Sequence, residues 1–362
     1  MLIALLVLAA LLAYANGSND NGKGVATLVG YGAATPRQAL VYAAITTAVG
    51  AVVSFWFSLG LLKSFSTGLF AAGTPLTATF FIAVLVGAFA WVILATVTGL
   101  PVSTTHAIMG SLVGAALVAF GRSTIQWHAL GRGFLLPLAI SPFFSLLLVY
   151  AAAWPVKWAI SRYGAVCVCV TETVEMTVTA SESLTIKAAR RVVTGNDAEC
   201  SAQTGVNVLS SSKVANALHW FSGGMIGFAR GWNDAPKIAA LCLIAIPKHM
   251  GIAFSLVAAS MAVGGCVSGR RVLETLAKKL TPLPRPESLT ASLTTAGLVC
   301  FASWKGLPVS TTHVSTGAII GAGLKNNPAG VKWNKVIEIA VSWVITLPAA
   351  GLIAAATKWV LP

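Results

Sequence analysis

The sequence predicts an all-α polytopic membrane protein made of two inverted structural repeats, with broken helices and re-entrant hairpins. Of its 362 residues, 56% are hydrophobic and only 9% are charged, whereas soluble domains carry about 25% charged residues. Apolar runs at or near the length that crosses a bilayer recur along the chain. The octapeptide Gly-Leu-Pro-Val-Ser-Thr-Thr-His occurs at 99–106 and again at 306–313. The runs predict the membrane, and the recurring octapeptide predicts the duplication.

The apolar runs define the membrane elements in order. The first begins at Met1 and has neither a basic start nor a small-residue cleavage site, so we expect a membrane helix rather than a signal peptide. Further runs follow at roughly 40–62, 77–98, 134–160, 252–267, 289–303 and 336–360. They are too long and too continuously apolar for the strands of a membrane barrel. We therefore expect a multi-pass protein of the inner (plasma) membrane, in contact with the lipid bilayer.

The repeat extends beyond the octapeptide and sets the expected boundaries. Gly-Ser-Asn-Asp-Asn-Gly-Lys at 17–23 corresponds to Gly-Trp-Asn-Asp-Ala-Pro-Lys at 231–237. We expect a first membrane repeat at 1–162 and a second at 214–362. Residues 163–213 would form a polar extramembrane connector, because they alternate like a strand and contain no spanning run.

The loop charges predict that the repeats are inverted. Segment 270–287 contains five Lys or Arg residues, whereas its counterpart at about 61–78 contains only Lys63. Cytoplasmic loops carry the excess of positive charge, so these equivalent loops should lie on opposite sides of the membrane. Many secondary transporters have this arrangement. Basic loops also explain the net charge of +14 without nucleic acid as a partner.

Two aspartates, Asp20 and Asp234, lie at equivalent repeat positions, each directly after an asparagine, Asn19 and Asn233. An aspartate at mid-membrane costs about 2.5–3.5 kcal/mol on insertion scales. A duplicated pair therefore favours a function over a polar pair that merely joins helices. Glycine and proline flank both motifs and predict discontinuous helices with exposed backbone groups. The carboxylates would bind a coupling cation, either a proton or sodium; no other metal or cofactor is indicated.

Lys23 and Lys237 follow the aspartates by one turn. Each either snorkels to the interface or neutralises the adjacent carboxylate or an anion, which would tune the charge of the site. Residues 17–24 also nearly match a P-loop. A P-loop needs Ser or Thr after the lysine to hold magnesium, and the second copy loses the spacing. ATP hydrolysis is therefore excluded.

Each octapeptide places three hydroxyls and an imidazole behind a proline. The residues are Ser103, Thr104, Thr105 and His106 in one copy and Ser310, Thr311, Thr312 and His313 in the other. Proline suits a first helical turn, and helix starts offer unpaired N–H groups and partial positive charge to an oxyanion. Such hydroxyls often bond their own backbone, but their duplication favours anion binding. The histidines either relay protons or hold the loops.

The paired Asn-Asp motifs together with the paired octapeptides resemble the inorganic phosphate transporter (PiT) family over nearly the whole chain outside the connector. The resemblance implies an inverted repeat around a phosphate site, coupling to sodium or protons, and a homodimer. It assigns Asn19, Asp20, Asn233 and Asp234 to the family's Asn-Asp signature, and the six hydroxyls to phosphate contact. The chain departs at Lys23 and Lys237, where sodium-coupled relatives usually carry Asn. This departure favours proton coupling.

The sequence therefore predicts a secondary active transporter, not an enzyme, that imports inorganic phosphate by cation symport. A sulfate permease of the same family is the alternative, because both anions are tetrahedral. Phosphate carries a proton that a carboxylate can accept, which favours phosphate. An anion channel needs weak multi-site binding, and the buried acids favour coupling instead. An enzyme acting on phosphate esters would need a nucleophile or metal set, and the sequence offers no convincing one.

Overall fold

The chain folds into twelve described helices and a small sheet in a computed structural model, which describes residues 1–57, 59–163, 166–178, 184–196, 206–243, 246 and 249–361. The helices are α1 (Leu2–Tyr31), α2 (Pro36–Phe57), α3 (Leu59–Ser66), α4 (Ala78–Thr98), α5 (Thr104–Ala119), α6 (Leu136–Tyr163), α7 (Ser211–Cys242), α8 (Met250–Ser268), α9 (Arg270–Lys278), α10 (Arg285–Trp304), α11 (Thr311–Asn326) and α12 (Trp333–Val360). A π-helical turn, Ala129–Leu135, leads into α6.

Six of the described helices are long and apolar enough to cross a membrane: α1, α2, α4, α6 with its π-helical turn, α8 and α12. They match the predicted runs, and the fold class of a polytopic helical membrane protein is confirmed. The run at 40–62 differs, because it divides between α2 and α3. The run at 289–303 lies in α10, a 20-residue helix that is not among these six.

The predicted connector contains a three-stranded antiparallel sheet. Strand β1 (Val166–Val178) lies between β2 (Leu184–Asn196) and β3 (Val206–Ser210). The register pairs Val166 with Asn196 and Cys167 with Ser210. Residues 164, 165, 179–183 and 197–205 of the connector lie outside the described residues. The extramembrane position of this segment stays a prediction.

The prediction that the Asn-Asp motifs interrupt their helices was wrong. Helix α1 continues through Gly17 and Gly22, and α7 continues through Pro236. The glycines permit close packing: a Cβ on Gly17 would overlap the carbonyl oxygen of Met261. Small residues let membrane helices approach closely, and neighbouring groups can satisfy the backbone that an internal proline frees.

The octapeptides do begin helices, as predicted. Each forms the tip of a helical hairpin, between α4 and α5 in one copy and between α10 and α11 in the other. The first helix of each hairpin is followed by a glycine of positive φ, 77° at Gly99 and 67° at Gly306. This backbone conformation is one that glycine adopts without steric cost. Ser103 and Ser310 then occupy the N-cap positions of α5 and α11.

Helices from the two predicted repeats interlock. Helix α1 packs on α8 and α7 packs on α2, while α5 packs on α12 and α11 packs on α6. Each of these four pairs joins one helix from 1–162 to one from 214–362. The Asn-Asp helices and the hairpin tips therefore meet in the interior, between the two halves of the chain.

Candidate functional site

The two carboxylates of the duplicated Asn-Asp motif lie together in the protein interior. Asp20 is 1% exposed and Asp234 is 4% exposed. The side-chain amide of Asn16 donates to Asp20 Oδ2 at 2.7 Å and to Asp234 Oδ2 at 3.3 Å. One amide nitrogen thus bridges both carboxylates. The structure brings the two Asn-Asp motifs to one place, as the duplication predicted.

Both lysines are buried and point inward, so the interpretation that they snorkel was wrong. Lys23 forms an ion pair with Asp20, and Lys237 Nζ lies 3.0 Å from Asp234 Oδ1. Each lysine carries its positive charge beside the carboxylate one turn earlier in its own helix. Burial of a charge requires such a partner, because an unpaired ion in the interior costs several kcal/mol.

The same two ammonium groups also connect the hairpins in a crossed pattern. Lys23 donates to the Val102 carbonyl oxygen at 2.6 Å and to the Thr312 hydroxyl of the other octapeptide. Lys237 donates to the Val309 carbonyl oxygen at 3.3 Å and to Thr105 Oγ1 at 2.7 Å. Each ammonium therefore contacts both hairpin tips at once.

Asn19 and Asn233 hold the hairpin tips against α1 and α7. The Asn19 amide donates to the Leu100 carbonyl oxygen at 3.0 Å and accepts from the Val102 backbone N–H at 3.1 Å. The Asn233 amide donates to the Val309 carbonyl oxygen at 2.9 Å and to Asp234 Oδ1 at 3.2 Å. The asparagines were predicted to orient the aspartates. A direct contact supports this role only for Asn233, which bonds to Asp234.

The six hydroxyls divide into two groups. Ser103 Oγ accepts from the His106 N–H, and Ser310 Oγ accepts from the His313 N–H, both at 3.3 Å. These serines cap their helices. They therefore bond their own backbone, which was the alternative to anion binding that the sequence left open. The threonines lie nearer the charges: Thr104 donates to Asp20 Oδ2 at 3.1 Å, and Thr105 and Thr312 accept from the lysines. Thr311 is buried in the same turn of α11.

His106 and His313 contact each other across the two hairpins. Their ring centroids are 4.8 Å apart with an interplanar angle of 37°. His313 also lies 4.0 Å from the Trp343 ring and pairs through Nδ1 with the Leu138 carbonyl oxygen at 2.8 Å. The contact joins the first turns of α5 and α11. These contacts support a structural role for the two histidines. Their role as a proton relay stays a prediction.

Sequence reasoning missed Arg230, which is 1% exposed and is among the largest fully buried side chains described. Its guanidinium donates to the side-chain oxygens of Asn16 at 3.3 Å, Thr47 at 3.0 Å and Asn21. It also lies 3.8 Å from Asp20 Oδ2. The signal was present, because an arginine within an apolar segment marks a functional site by default. Arg230 and Asn16 precede their motif glycines at equivalent repeat positions.

The charges of this cluster do not cancel. In their ordinary ionised forms, three cations (Lys23, Lys237 and Arg230) surround two carboxylates (Asp20 and Asp234), a formal charge of +1 in the interior. A monovalent anion would neutralise it, and hydroxyls and helix starts supply further donors. Among the described residues, no group of three or more His, Cys, Asp or Glu side chains could hold a metal.

Comparison with known proteins identifies the family of this chain. A model of the phosphate transporter family matches residues 16–354. A protein of Pyrococcus horikoshii with the provisional name phosphate permease is 29% identical, over 98% of this chain and 96% of its own length. A Rhizobium meliloti protein named probable low-affinity inorganic phosphate transporter is 28% identical, over 98% of this chain and 95% of its own length.

Among solved structures, that of a protein named "The sodium-dependent phosphate transporter" shares the fold. Its TM-score is 0.77 at 23% identity, and the match covers 99% of this chain and 98% of that one. The family match over nearly the whole chain shows that this chain belongs to the phosphate transporter family. It is therefore a multi-pass membrane transporter rather than an enzyme, and the plasma membrane is the location that fits it.

Proposed function

We propose that this transporter imports inorganic phosphate across the plasma membrane by symport with protons. The observation that carries the proposal is the pairing of each aspartate with a buried lysine, Lys23 with Asp20 and Lys237 with Asp234. In this arrangement the protein supplies its own two cations at the positions where carboxylates would otherwise attract sodium. Sodium coupling is the runner-up.

The substrate site of the proposal consists of the two hairpin tips. The hydroxyls of Ser103, Thr104, Thr105, Ser310, Thr311 and Thr312, with the backbone N–H groups of the two helix starts, would bind the anion. Thr104, Thr105 and Thr312 already bond to the charged groups, so phosphate would exchange these contacts for its own. The net charge of +1 in the cluster favours dihydrogen phosphate, which carries one negative charge.

Coupling in this proposal comes from the carboxylates. Sodium prefers oxygen ligands, but one oxygen of each carboxylate already has a donor. Lys23 pairs with one oxygen of Asp20, and Lys237 and Asn233 both donate to one oxygen of Asp234. A proton needs no coordination shell. Protonation of Asp20 or Asp234 would remove the partner of an ammonium group and raise the local positive charge, which strengthens anion binding. Phosphate and proton would then bind together, as symport requires.

Sulfate is the second candidate substrate, because hydroxyl and N–H donors serve both tetrahedral anions. Sulfate carries two negative charges and no proton at neutral pH, so it would leave the cluster with a net negative charge while both aspartates are ionised. It also could not donate to a carboxylate. Both features favour phosphate.

The test is uptake of radiolabelled phosphate into proteoliposomes that contain the purified protein. A proton gradient or a sodium gradient is imposed, each with and without excess unlabelled sulfate. We expect accumulation above equilibrium with the proton gradient alone, and little effect of sulfate. Accumulation driven by sodium alone, at clamped pH and membrane potential, would contradict proton coupling. Uptake that only equilibrates would indicate a channel.

The higher organisation stays part of the proposal. We expect alternating access to move one helical bundle against another around the site. The division into repeats at 1–162 and 214–362 with a connector at 163–213, their inverted orientation, and assembly into a homodimer are predictions. The interlocked packing of the two halves implies that the moving bundles combine helices from both repeats.

A further inference from the structure

A basic cleft lies where α12 begins, away from the candidate transport site. It has a volume of about 510 Å³, and its lining includes three lysines, Lys279, Lys332 and Lys335. The Lys332 N–H donates to the Leu280 carbonyl oxygen at 3.1 Å, which holds the start of α12 beside the segment after α9. Glu338, a carboxylate of the same lining, accepts from Lys335 at 2.6 Å. Together these four side chains carry a net charge of +2.

An apolar groove begins at the same place. It has a volume of about 620 Å³, lies between α6, α11 and α12, and includes His106 and His313 in its lining. Trp333 lines both the basic cleft and this groove. At the sides of the groove, Phe143 is 68% exposed and Val344 is 75% exposed. In a membrane, these exposed side chains face lipid.

The groove follows one face of α12 over the length of an acyl chain. Its lining residues on this helix are Trp333, Val336, Ala340, Trp343, Val344 and Leu347. At 1.5 Å per residue, the distance from Trp333 to Leu347 is about 21 Å. One leaflet of hydrocarbon is about 15 Å thick. The groove is therefore long enough along α12 to hold one acyl chain.

We propose that the cleft and the groove together bind one anionic phospholipid, with its headgroup phosphate on Lys279, Lys332 and Lys335 and an acyl chain between α6 and α12. The three lysines complement a phosphate in charge, and the apolar lining complements the chain. The basic loop at 270–287 identifies this side of the protein as cytoplasmic by the positive-inside bias, and the cytoplasmic leaflet carries the anionic lipids. The acyl chain would contact the histidine pair that joins the two hairpins.

The test measures thermal unfolding of the purified, delipidated protein in detergent, with three added probes. Dioleoyl phosphatidylglycerol should raise the midpoint by about 5 °C at a hundredfold excess over its Kd. Dioleoyl phosphatidylcholine, which has the same chains, should raise it far less. Inorganic phosphate also binds the proposed transport site, so any shift that it causes should be the same when Lys279, Lys332 and Lys335 are neutralised. This readout does not depend on transport, so it can fail while the proposed function holds.

Two variants test the two parts of the site separately. The triple variant Lys279→Gln, Lys332→Gln, Lys335→Gln should lose the shift with phosphatidylglycerol, and Ala340→Phe, which fills the groove, should lose it as well. Lys325→Gln is the control, because this exposed lysine near the end of α11 contacts Tyr150 and does not line the cleft. Lys325→Gln should keep the full shift.

Four results would overturn the proposal. Equal shifts with the two lipids would show apolar binding without headgroup recognition, and an inorganic-phosphate shift that the triple lysine variant loses would show a free-anion site in the cleft. A full shift in the triple lysine variant would remove the lysines from recognition. No shift with either lipid, together with a change of oligomeric mass in Ala340→Phe, would show that a second copy of the chain covers the groove.

Discussion

At the residue scale, Asp20 and Asp234 are held by a small set of shared donors. Each carboxylate has a lysine on one oxygen and shares the Asn16 amide through the other. Removing one partner of a buried ion pair strongly destabilises the folded protein, because the other charge is left buried without a partner. The electrostatic balance of the site therefore depends on a few side chains, and single substitutions test it directly.

Asp20→Asn and Asp234→Asn should each abolish gradient-driven phosphate uptake while leaving membrane insertion intact. The amide keeps the size of the carboxylate but can bind neither a coupling proton nor a cation. Uptake into proteoliposomes and the amount of membrane-inserted protein are measured for each variant. Glu274→Gln is the control, since this acidic side chain pairs with Arg270 at the surface. Normal uptake by both Asn variants would remove the carboxylates from the mechanism.

Arg230 allows its charge to be separated from its hydrogen bonds. Arg230→Gln removes the excess positive charge, and we expect phosphate uptake to fall at least tenfold. Arg230→Lys keeps the charge, but its single ammonium group cannot replace the planar guanidinium that bonds to Asn16, Asn21 and Thr47 together. It should retain most uptake and lower the free energy of unfolding by about 1–3 kcal/mol, the cost of an unsatisfied buried polar group. Uptake and thermal unfolding are measured on both variants. Full uptake by Arg230→Gln would contradict the charge argument.

At the element scale, the hairpin tips combine helix capping with proposed anion binding, and the serines can distinguish the two. Ser310→Ala should weaken the cap of α11 by about 0.5–2 kcal/mol. Ser310→Asp keeps a capping oxygen but adds a negative charge at the tip. We expect Ser310→Asp to retain the thermal stability of the wild type and to lose phosphate uptake. If Ser310→Asp transports normally, the serine acts only as a cap, and the anion lies elsewhere.

Helix packing across the two halves depends on glycine at specific contacts. A Cβ on Gly110 would overlap the Leu347 carbonyl oxygen, where α5 meets α12. Gly110→Ala should therefore separate these helices and lower the thermal midpoint. Gly297, inside α10, has no atom within 4 Å of its hypothetical Cβ, so Gly297→Ala should keep or raise the midpoint because alanine favours helix. A decrease of equal size in both variants would show that the loss is not specific to the contact.

Local signals in the sequence predicted some elements well and others poorly. The Ser-Thr-Thr of each octapeptide predicted the starts of α5 and α11, because capping depends on neighbouring residues. The expected position of the proline in the first turn was wrong, since Pro101 and Pro308 precede the N-cap serines. The same kind of reasoning failed at Gly17 and Pro236, where the helices continue because partner helices stabilise them. Arg230 was missed for a similar reason. Its partners Asn16, Asn21 and Thr47 lie far away in the sequence, and only the tertiary fold brings them together.

At the scale of the whole molecule, residues at equivalent repeat positions contact each other. Asn16 bonds to its counterpart Arg230, and the His106 ring lies against its counterpart His313. Residues that meet their own counterparts are expected along a twofold axis between two related halves. The crossed lysine contacts fit the same relation, since each lysine reaches the other half's octapeptide. The two halves therefore share one site.

The unequal charges of equivalent loops, five Lys or Arg at 270–287 against only Lys63 at 61–78, predict opposite membrane sides for these loops. In a background without native cysteines, Ala72→Cys is placed in the loop between α3 and α4, and Pro282→Cys in the loop between α9 and α10; both positions are exposed. A membrane-impermeant thiol reagent added to intact cells should label Ala72→Cys and leave Pro282→Cys unlabelled until the cells are opened. Labelling of both from outside would show parallel repeats. That result would also place the basic cleft of Lys279 outside the cell, where anionic lipid is not enriched.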